Sequence, residues 1–334
     1  MADTTIATDS AHAVKRWDSA FTIEMGKKNF WAGVSGKDPN NICQTKLDLT
    51  RNQGDRVRLE LFPNLSGAGF TGELTNVEGS EEETALDYDD VTVNLYGNAW
   101  RTAGPITEQR SPADLREQGR RVLSVWAGER VDALGFTAIE SSPTTYWTEI
   151  ADTLTKSGST GSVTASDLIE PHMASALKAS AHTQDPKIAP IKQAGRELYV
   201  LLMHTHCEYD MKNDSTWQAF HRDADVRDPK DNYIFRAGMG SIDNVLLYSH
   251  ENVAIATDWG SGGNVNGAYN KFLGAQAMAW AWARYPWLVE KRFQYGLKWG
   301  CMVAFITGFK KISWSTGAQD FGLIELRTAR SNLS

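Results

Sequence analysis

Three side chains able to ligate a metal or act as nucleophiles stand within four residues, in His204-Thr205-His206-Cys207, and Glu208 and Asp210 follow closely. Imidazole and thiolate are zinc ligands, but such sites usually recruit a second pair from elsewhere in the chain. The remaining histidines, His12, His172, His182, His221 and His250, show no ligand spacing. Read as the end of a strand, the segment also turns His204 and His206 to one face and Cys207 to the other. Polar residues closing a buried strand are the plainer reading, and no metal ligand is assigned.

Two other patterns invite chemistry. Gly67-Ala68-Gly69-Phe70-Thr71-Gly72 fits G-x-G-x-x-G. A dinucleotide fingerprint needs a helix next, whose N-terminus holds the pyrophosphate. Here Glu73 and an acid-rich stretch follow, which suits the tip of a flexible arm instead. Asp87-Tyr88-Asp89-Asp90 beside Glu81-Glu82-Glu83 offers oxygen ligands for calcium, but lacks the glycine and terminal glutamate of a calcium-binding hand. A solvated or partner-facing acidic surface fits better. Neither G-x-S-x-G nor a P-loop pattern occurs, so no catalytic residue and no cofactor is nominated.

The surroundings of that acidic run say more than the run itself. Between Arg58 and Arg101 there is no Lys or Arg, and nine acids fall between residues 59 and 100. The chain carries −7 in all, so everything outside that stretch is slightly positive. Val57, Leu59 and Leu61 alternate in one strand, and Val91, Val93 and Leu95 in another spanning Asp90 to Tyr96. The 27 residues between these strands far exceed a tight turn. A long acidic two-stranded arm on a nearly neutral body reaches toward a neighbour.

A long helix follows. Ser111-Pro112-Ala113-Asp114 reads as its start, with Ser111 capping, Pro112 at the first helical position and Asp114 near the positive end of the dipole. Leu115, Val122, Val125, Trp126, Ala133 and Phe136 recur at helical spacing, and no proline intervenes before Pro143. About 28 helical residues would span roughly 42 Å.

At 334 residues, 41% of them hydrophobic, the chain is long enough for a large core or two lobes. Mild acidity gives no electrostatic reason to expect nucleic-acid binding. Cys43, Cys207 and Cys301 are far apart and odd in number, which suits a reducing compartment. Ile6 to Ala20 lacks an apolar run, so no signal peptide is expected. Phe272 to Val289 is interrupted by Arg284 and Pro286, too broken for a membrane span. Twelve tryptophans point to extensive aromatic packing or contact surfaces.

Along the rest of the chain, Val14, Trp17, Phe21 and Met25 suggest a short amphipathic helix, followed by loop to Thr50. Residues 155–162 read as a low-complexity link between lobes. Thr164 and Asp167 read as the cap of a helix from Leu168 to Ala181. Leu198 to Met203 reads as a buried central strand. Residues 208–235 read as loop, Val245 to Tyr248 as strand, Gly260 to Gly267 as turn and Phe272 to Ala283 as a small-residue helix. Met302 to Phe309 and Phe321 to Thr328 close the chain as strands. The layout is α+β.

An ordered set of short motifs carries a family resemblance. It runs Leu47-Asp48-Leu49-Thr50, Gly54-Asp55, Gly67, Thr71-Gly72, Glu78-Gly79, Glu81-Glu82 and Tyr88-Asp89-Asp90. It continues through Glu108-Gln109-Arg110-Ser111-Pro112-Ala113-Asp114-Leu115-Arg116, Asn232-Tyr233-Ile234-Phe235, Gly240, Asp243-Asn244-Val245 and Leu273-Gly274-Ala275-Gln276-Ala277. Gly308-Phe309-Lys310 and Phe321-Gly322 complete it. The set, over about residues 15–329, resembles the N4-like tailed-phage major capsid proteins. Three positions depart from that pattern: Tyr233 and Thr205 where proline is expected, and Asn244 where glycine is. Asn tolerates a left-handed backbone nearly as well.

The resemblance implies the HK97-type capsid fold. Residues 1–50 would form an N-arm, 51–104 an extended E-loop hairpin, 105–162 a P-domain with the long spine helix, 163–285 a central α/β A-domain at the capsomer axis, and 286–334 the return strands of the P-domain. It implies a structural protein, not an enzyme. Hexamers and pentamers of the chain would build the icosahedral head of a bacteriophage in the host bacterial cytoplasm. The head would enclose double-stranded DNA without sequence-specific binding or membrane contact. Scaffold, portal and decoration proteins are the expected partners. In that fold the E-loop lies over a neighbour's P-domain, so Glu81, Glu82, Glu83, Asp87 and Asp89 are expected to face basic residues there. Arg116, Arg120, Arg121, Lys291 and Arg292 are the expected acceptors. Residues 284–311 hold six basic residues against the one acid Glu290, with Lys310 and Lys311 among them. Trp17 and Phe21 are expected to meet a neighbour from the N-arm. The weighed alternatives are a nanocompartment shell of the same fold and a metal-dependent enzyme using His204, His206 and Cys207.

Overall fold

A computed structural model describes residues 29–50, 53–61, 81–83, 86–110, 114–184, 187–193, 195–219, 240–314 and 319–333. Trp17, Phe21, the glycine motif at 67–72 and Asn232-Tyr233-Ile234-Phe235 lie outside them. In chain order the elements begin with α1 (Phe30–Val34), β1 (Ser35–Gly36), β2 (Cys43–Lys46), β3 (Arg56–Leu61), β4 (Asp87–Thr92) and β5 (Asn94–Arg101). Then come α2 (Pro105–Arg110), α3 (Leu115–Glu140), β6 (Tyr146–Ile150), β7 (Thr153–Lys156), α4 (Pro171–Thr183), β8 (Ile191–Gln193), β9 (Arg196–Met203) and α5 (Thr205–Asn213). Residues 215–219 are also helical. The strands that follow are β10 (Ser241–Ile242), β11 (Val245–Ser249), β12 (Ile255–Trp259), β13 (Val265–Leu273), β14 (Met278–Phe293), β15 (Lys298–Lys311), β16 (Ser313–Trp314), β17 (Gln319–Asp320) and β18 (Leu323–Ala329).

Two sheets organise the molecule. One has five strands in the order β1-β2-β14-β15-β5. The other has nine, with β10-β11-β9-β13-β18-β6-β7 as its path and β8 and β12 attached to β9 and β13. The strand pair β3–β4 stands apart as its own ribbon. The α+β class holds.

The long helix α3 runs 26 residues, about 39 Å. Its cap is Asp114, whose side chain accepts from the backbone N–H of Arg116 and Glu117; Ser111 and Pro112 lie outside the described residues. Its buried face is Leu123, Ala127, Val131, Phe136 and Ile139. Val122, expected inside, is 59% exposed. Glycines on that face let large rings approach. A Cβ on Gly119 would come within 2.5 Å of the Trp100 ring, and one on Gly135 within 2.3 Å of Trp31 Nε1.

The expected helix at Phe272 to Ala283 is instead the end of β13 and the start of β14. Trp280 and Trp282 face the core under α3, while Ala279 and Ala281 face the β3–β4 ribbon. That alternation is a strand period, and the packing of bulky rings on one side and close backbone on the other overrides alanine's helix preference. Under the same ribbon, a Cβ on Gly308 of β15 would stand 2.1 Å from the Thr92 carbonyl oxygen, so glycine is what permits the crossing.

Other expectations shift for local reasons. The helix expected from Leu168 starts at Pro171, where proline favours the first turn. Asp167 instead ties a turn, accepting from the backbone N–H of Thr164 at 2.7 Å. Helix α5 takes Thr205 to Cys207, expected as a strand end, and residues 208–213 of the expected loop 208–235, and the stretch before Thr50 contains α1 and two strands. The second arm strand is broken at Val93, whose N–H donates to the Asp55 carbonyl at 3.0 Å. Beyond it the chain moves into the five-stranded sheet beside β15, and Leu95 is 66% exposed.

Strand β9 confirms the buried central strand. Tyr199, Leu201 and Met203 face the cluster under α4 and α5, and Val200 and Leu202 face the cluster under α3. Burial on both sides explains its unbroken apolar run. Asp243 and Asn244, with φ of 47° and 65°, make the left-handed turn between β10 and β11 that the sequence required of Asn244. Thr205 takes the first position of α5, a site proline also favours.

Candidate functional site

The His204–Cys207 segment is a helix start. His204 caps α5: its Nδ1 accepts from the His206 N–H at 3.1 Å, and its own N–H donates to Asn270 Oδ1 at 3.1 Å. Burial, then the charges of His206 and Arg330, lowers its pKa to about 4. His206 Nδ1 meets Arg330 Nη1 at 2.6 Å. Burial pushes the Cys207 thiol up to about 12, so it is not a thiolate at neutral pH. Among the described residues no group of three His, Cys, Asp or Glu side chains is placed to hold a metal. The cluster caps a helix and anchors the C-terminal segment.

The ribbon β3–β4 pairs Val57 with Val91, Leu59 with Asp89 and Leu61 with Asp87. Glu81, Glu82 and Glu83 are exposed ahead of it. Leu86 and Tyr88 are 67% and 55% exposed. Asp87 and Asp89 differ from expectation. Both are buried, because they share the inward face of β4 with Val91. Asp89 is engaged inside its own subunit, where Lys310 donates to one oxygen and the Ser313 N–H to the other at 3.3 Å. Asp90 is bound across the ribbon by Arg58 at 2.8 Å, and the Arg58 guanidinium lies 4.1 Å from the Tyr88 ring centre. That bond holds the Asp90 carboxyl below its ordinary range.

The basic residues also divide. Arg120 binds Glu290 with Nε 2.8 Å from the carboxylate, and its guanidinium sits 5.5 Å from the Trp299 ring. Arg116 meets Glu108 at 3.6 Å. Lys311 is buried on Asp320 at 2.6 Å. Lys310 and Lys311 therefore serve the subunit interior. Arg121, Lys291 and Arg292 are exposed. Lys291 borders an apolar groove of about 400 Å³, lined by Trp100, Val289, Phe293, Cys301 and Met302 with Arg101 at its rim. Beyond it the β14–β15 ribbon ends in exposed Tyr295 and Leu297.

Sequence reasoning missed this groove and the buried pair Lys271–Glu325, joined side chain to side chain across β13 and β18. The groove's signal was the alternation of Val289, Lys291 and Phe293 against Arg292, obscured by reading the preceding residues as helix.

Among the described residues no metal cluster is placed for catalysis, and the exposed features are the acidic residues 81–83, the bases Lys291 and Arg292 and the apolar groove. The family of phage capsid proteins matches over residues 5–142 and 140–332. A major capsid protein of Pseudomonas phage KPP25 is 28% identical, over 94% of each chain. The capsid structure of Ralstonia phage GP4 superposes with a TM-score of 0.79 at 25% identity, over 100% of both chains. That of cyanophage Pam1 gives 0.77 at 20% identity, over 99% of this chain and 100% of the other. These neighbours are of the HK97 type, and they favour neither the nanocompartment nor the enzyme reading. The chain belongs to the phage capsid protein family, as a structural major capsid subunit of a tailed-phage virion.

Proposed function

We propose that the subunits close into hexamers and pentamers through a head-to-tail contact between the acidic arm of one copy and the basic, apolar ribbon end of the next. The carrying observation is their placement. The β3–β4 ribbon sits against the Gly308–Lys310 end of β15, while the groove with Lys291 lies toward the opposite end of the same strand. Two unlike patches at opposite ends of one element make a heterologous contact, which closes into rings when the rotation allows. Glu81, Glu82 and Glu83 with Leu86 are the donor; Arg101, Lys291 and Arg292 with the groove are the acceptor. Each exposed pair contributes about 0.2–1 kcal/mol, multiplied over a shell.

On this reading residues 1–50 are an N-arm carrying Trp17 and Phe21 to a neighbour, 51–104 the E-loop, 105–162 and 286–334 the P-domain, and 163–285 the axial A-domain. The shell encloses double-stranded DNA, and net −7 suits a lining over which DNA slides. Scaffold, portal and decoration proteins complete assembly in the host cytoplasm.

Charge reversal tests the contact. Replacing Glu81, Glu82 and Glu83 by Lys slows or misdirects assembly followed by light scattering and electron microscopy at low salt. Adding Lys291→Glu and Arg292→Glu partly restores it. Normal assembly of the triple variant at low salt overturns the contact.

A further inference from the structure

Glu149 is 1% exposed, and neither of its carboxylate oxygens has a hydrogen-bond partner. It lies two positions beyond Trp147 on β6, so both point to one side of that strand. Trp147 Nε1 donates to Ser180 Oγ at 3.0 Å, which places that side under α4. Thr148 and Ile150 take the other side, where both lie against Gly158.

Among the described residues, the charged groups acting on Glu149 are all acids: Asp167, Glu170 and Asp152. Asp167 is buried and fully engaged. Its Oδ1 accepts from the Ala151 N–H at 3.0 Å and its Oδ2 from the Thr164 N–H at 2.7 Å. Its backbone oxygen accepts from the Ala329 N–H at 2.8 Å. Asp167 thus joins the β6–β7 turn, the crossover before α4 and the end of β18. Glu170 meets His172 Nδ1 at 3.1 Å, and Asp152 is exposed in the turn.

A buried carboxylate with no donor and three acidic neighbours is costly, whereas a neutral carboxyl is far less so. We propose that Glu149 is a proton-linked lock, carried as the neutral acid, that lets residues 151–170 close over β6 and loosens them when it ionises. Burial first, then repulsion from Asp167, Glu170 and Asp152, raises its pKa to about 7. With the folded value above the ordinary one, the neutral form's advantage is complete below about pH 4.5 and is lost as pH rises through about 7. The lock belongs to the single subunit and stands whether or not the arm contact above is right.

Hydrogen exchange of residues 151–170 in the full chain, compared at the same pH with Glu149→Gln, tests it. At pH 4 the two chains are equally protected. At pH 8.5 the natural chain exchanges roughly tenfold faster or more, because the variant has no proton to lose. A second variant avoids dependence on Gln being accommodated: Asp152→Asn, at an exposed turn position, removes one repelling charge, brings the folded value of Glu149 closer to its ordinary one and so shrinks the loosening at pH 8.5. Loosening at pH 8.5 equal to or greater than that of the natural chain overturns the proposal. Equal protection of the natural chain and Glu149→Gln at both pH values also overturns it. So does recovery of protection at pH 8.5 on adding millimolar calcium or magnesium, which assigns the carboxylate to a cation instead.

Discussion

The indole of Trp31 rests directly on Gly135, with no room for a side chain between them: a Cβ at Gly135 would stand 2.3 Å from Trp31 Nε1. Trp31 is fully buried, and its neighbour Phe30 donates its N–H to Asp132 Oδ1 at 2.9 Å one turn earlier on α3. The first described segment of the chain is fixed to the long helix at that point.

Gly135→Ala therefore destabilises the subunit although alanine is the better helix former. Overpacking costs about 1–3 kcal/mol, against about 1 kcal/mol gained in helix propensity. Thermal melting of the variant shows a lower midpoint; an unchanged or raised midpoint refutes the contact.

The buried pair Lys271–Glu325 is a stronger case. Both side chains are about 2% exposed, and Arg327 also reaches Glu325 at 2.7 Å. Burial lowers the Lys271 pKa, opposed by Glu325. Lys271→Met alone costs about 3–5 kcal/mol, because Glu325 Oε2 loses its ammonium in a buried site while Arg327 holds only Oε1. Lys271→Met combined with Glu325→Leu recovers most of that loss. Chemical denaturation of both variants decides it, and equal losses contradict a coupled pair.

His204 predicts an acid limb of stability. Its folded pKa of about 4 lies below the ordinary 6.5. The unfolded chain therefore takes up the proton first, and stability falls as pH drops from about 6.5 toward 4. The contribution reaches about 3 kcal/mol at most. His204→Asn keeps a good helix cap and flattens this limb in denaturation curves measured from pH 7 to pH 4. A variant as acid-sensitive as the natural chain refutes it.

Much of this fold was legible wherever one physical signal dominated. The apolar run at Leu198–Met203 and the closing strands carried their own period, and the long helix had no competing breaker. Legibility failed where two signals competed. At Phe272–Ala283 alanine content masked the alternation of Trp280 and Trp282 with Ala279 and Ala281. At α5 the cap is a histidine, not one of the usual capping residues, so the helix start went unread. At α3 the capping aspartate was taken for a first-turn acid. In the proposed contact surface the acids at 81–83 and the bases Lys291 and Arg292 were legible as exposed charges. The inward turn of Asp87 and Asp89 was not, because it depends on which face of β4 meets β14 and β15.

That inward turn gives the arm a mechanical base. Lys310 grips Asp89 and the Asp90 carbonyl, and Thr92 presses on Gly308, so β4 is riveted to β15 at adjacent points. A ribbon clamped at two points inherits the twist of the strand beneath it, so a change of twist in β14–β15 is passed on to β3 and β4. If the proposed arm contact holds, that clamp makes the twist of the long β14–β15 pair a lever on how neighbouring subunits meet.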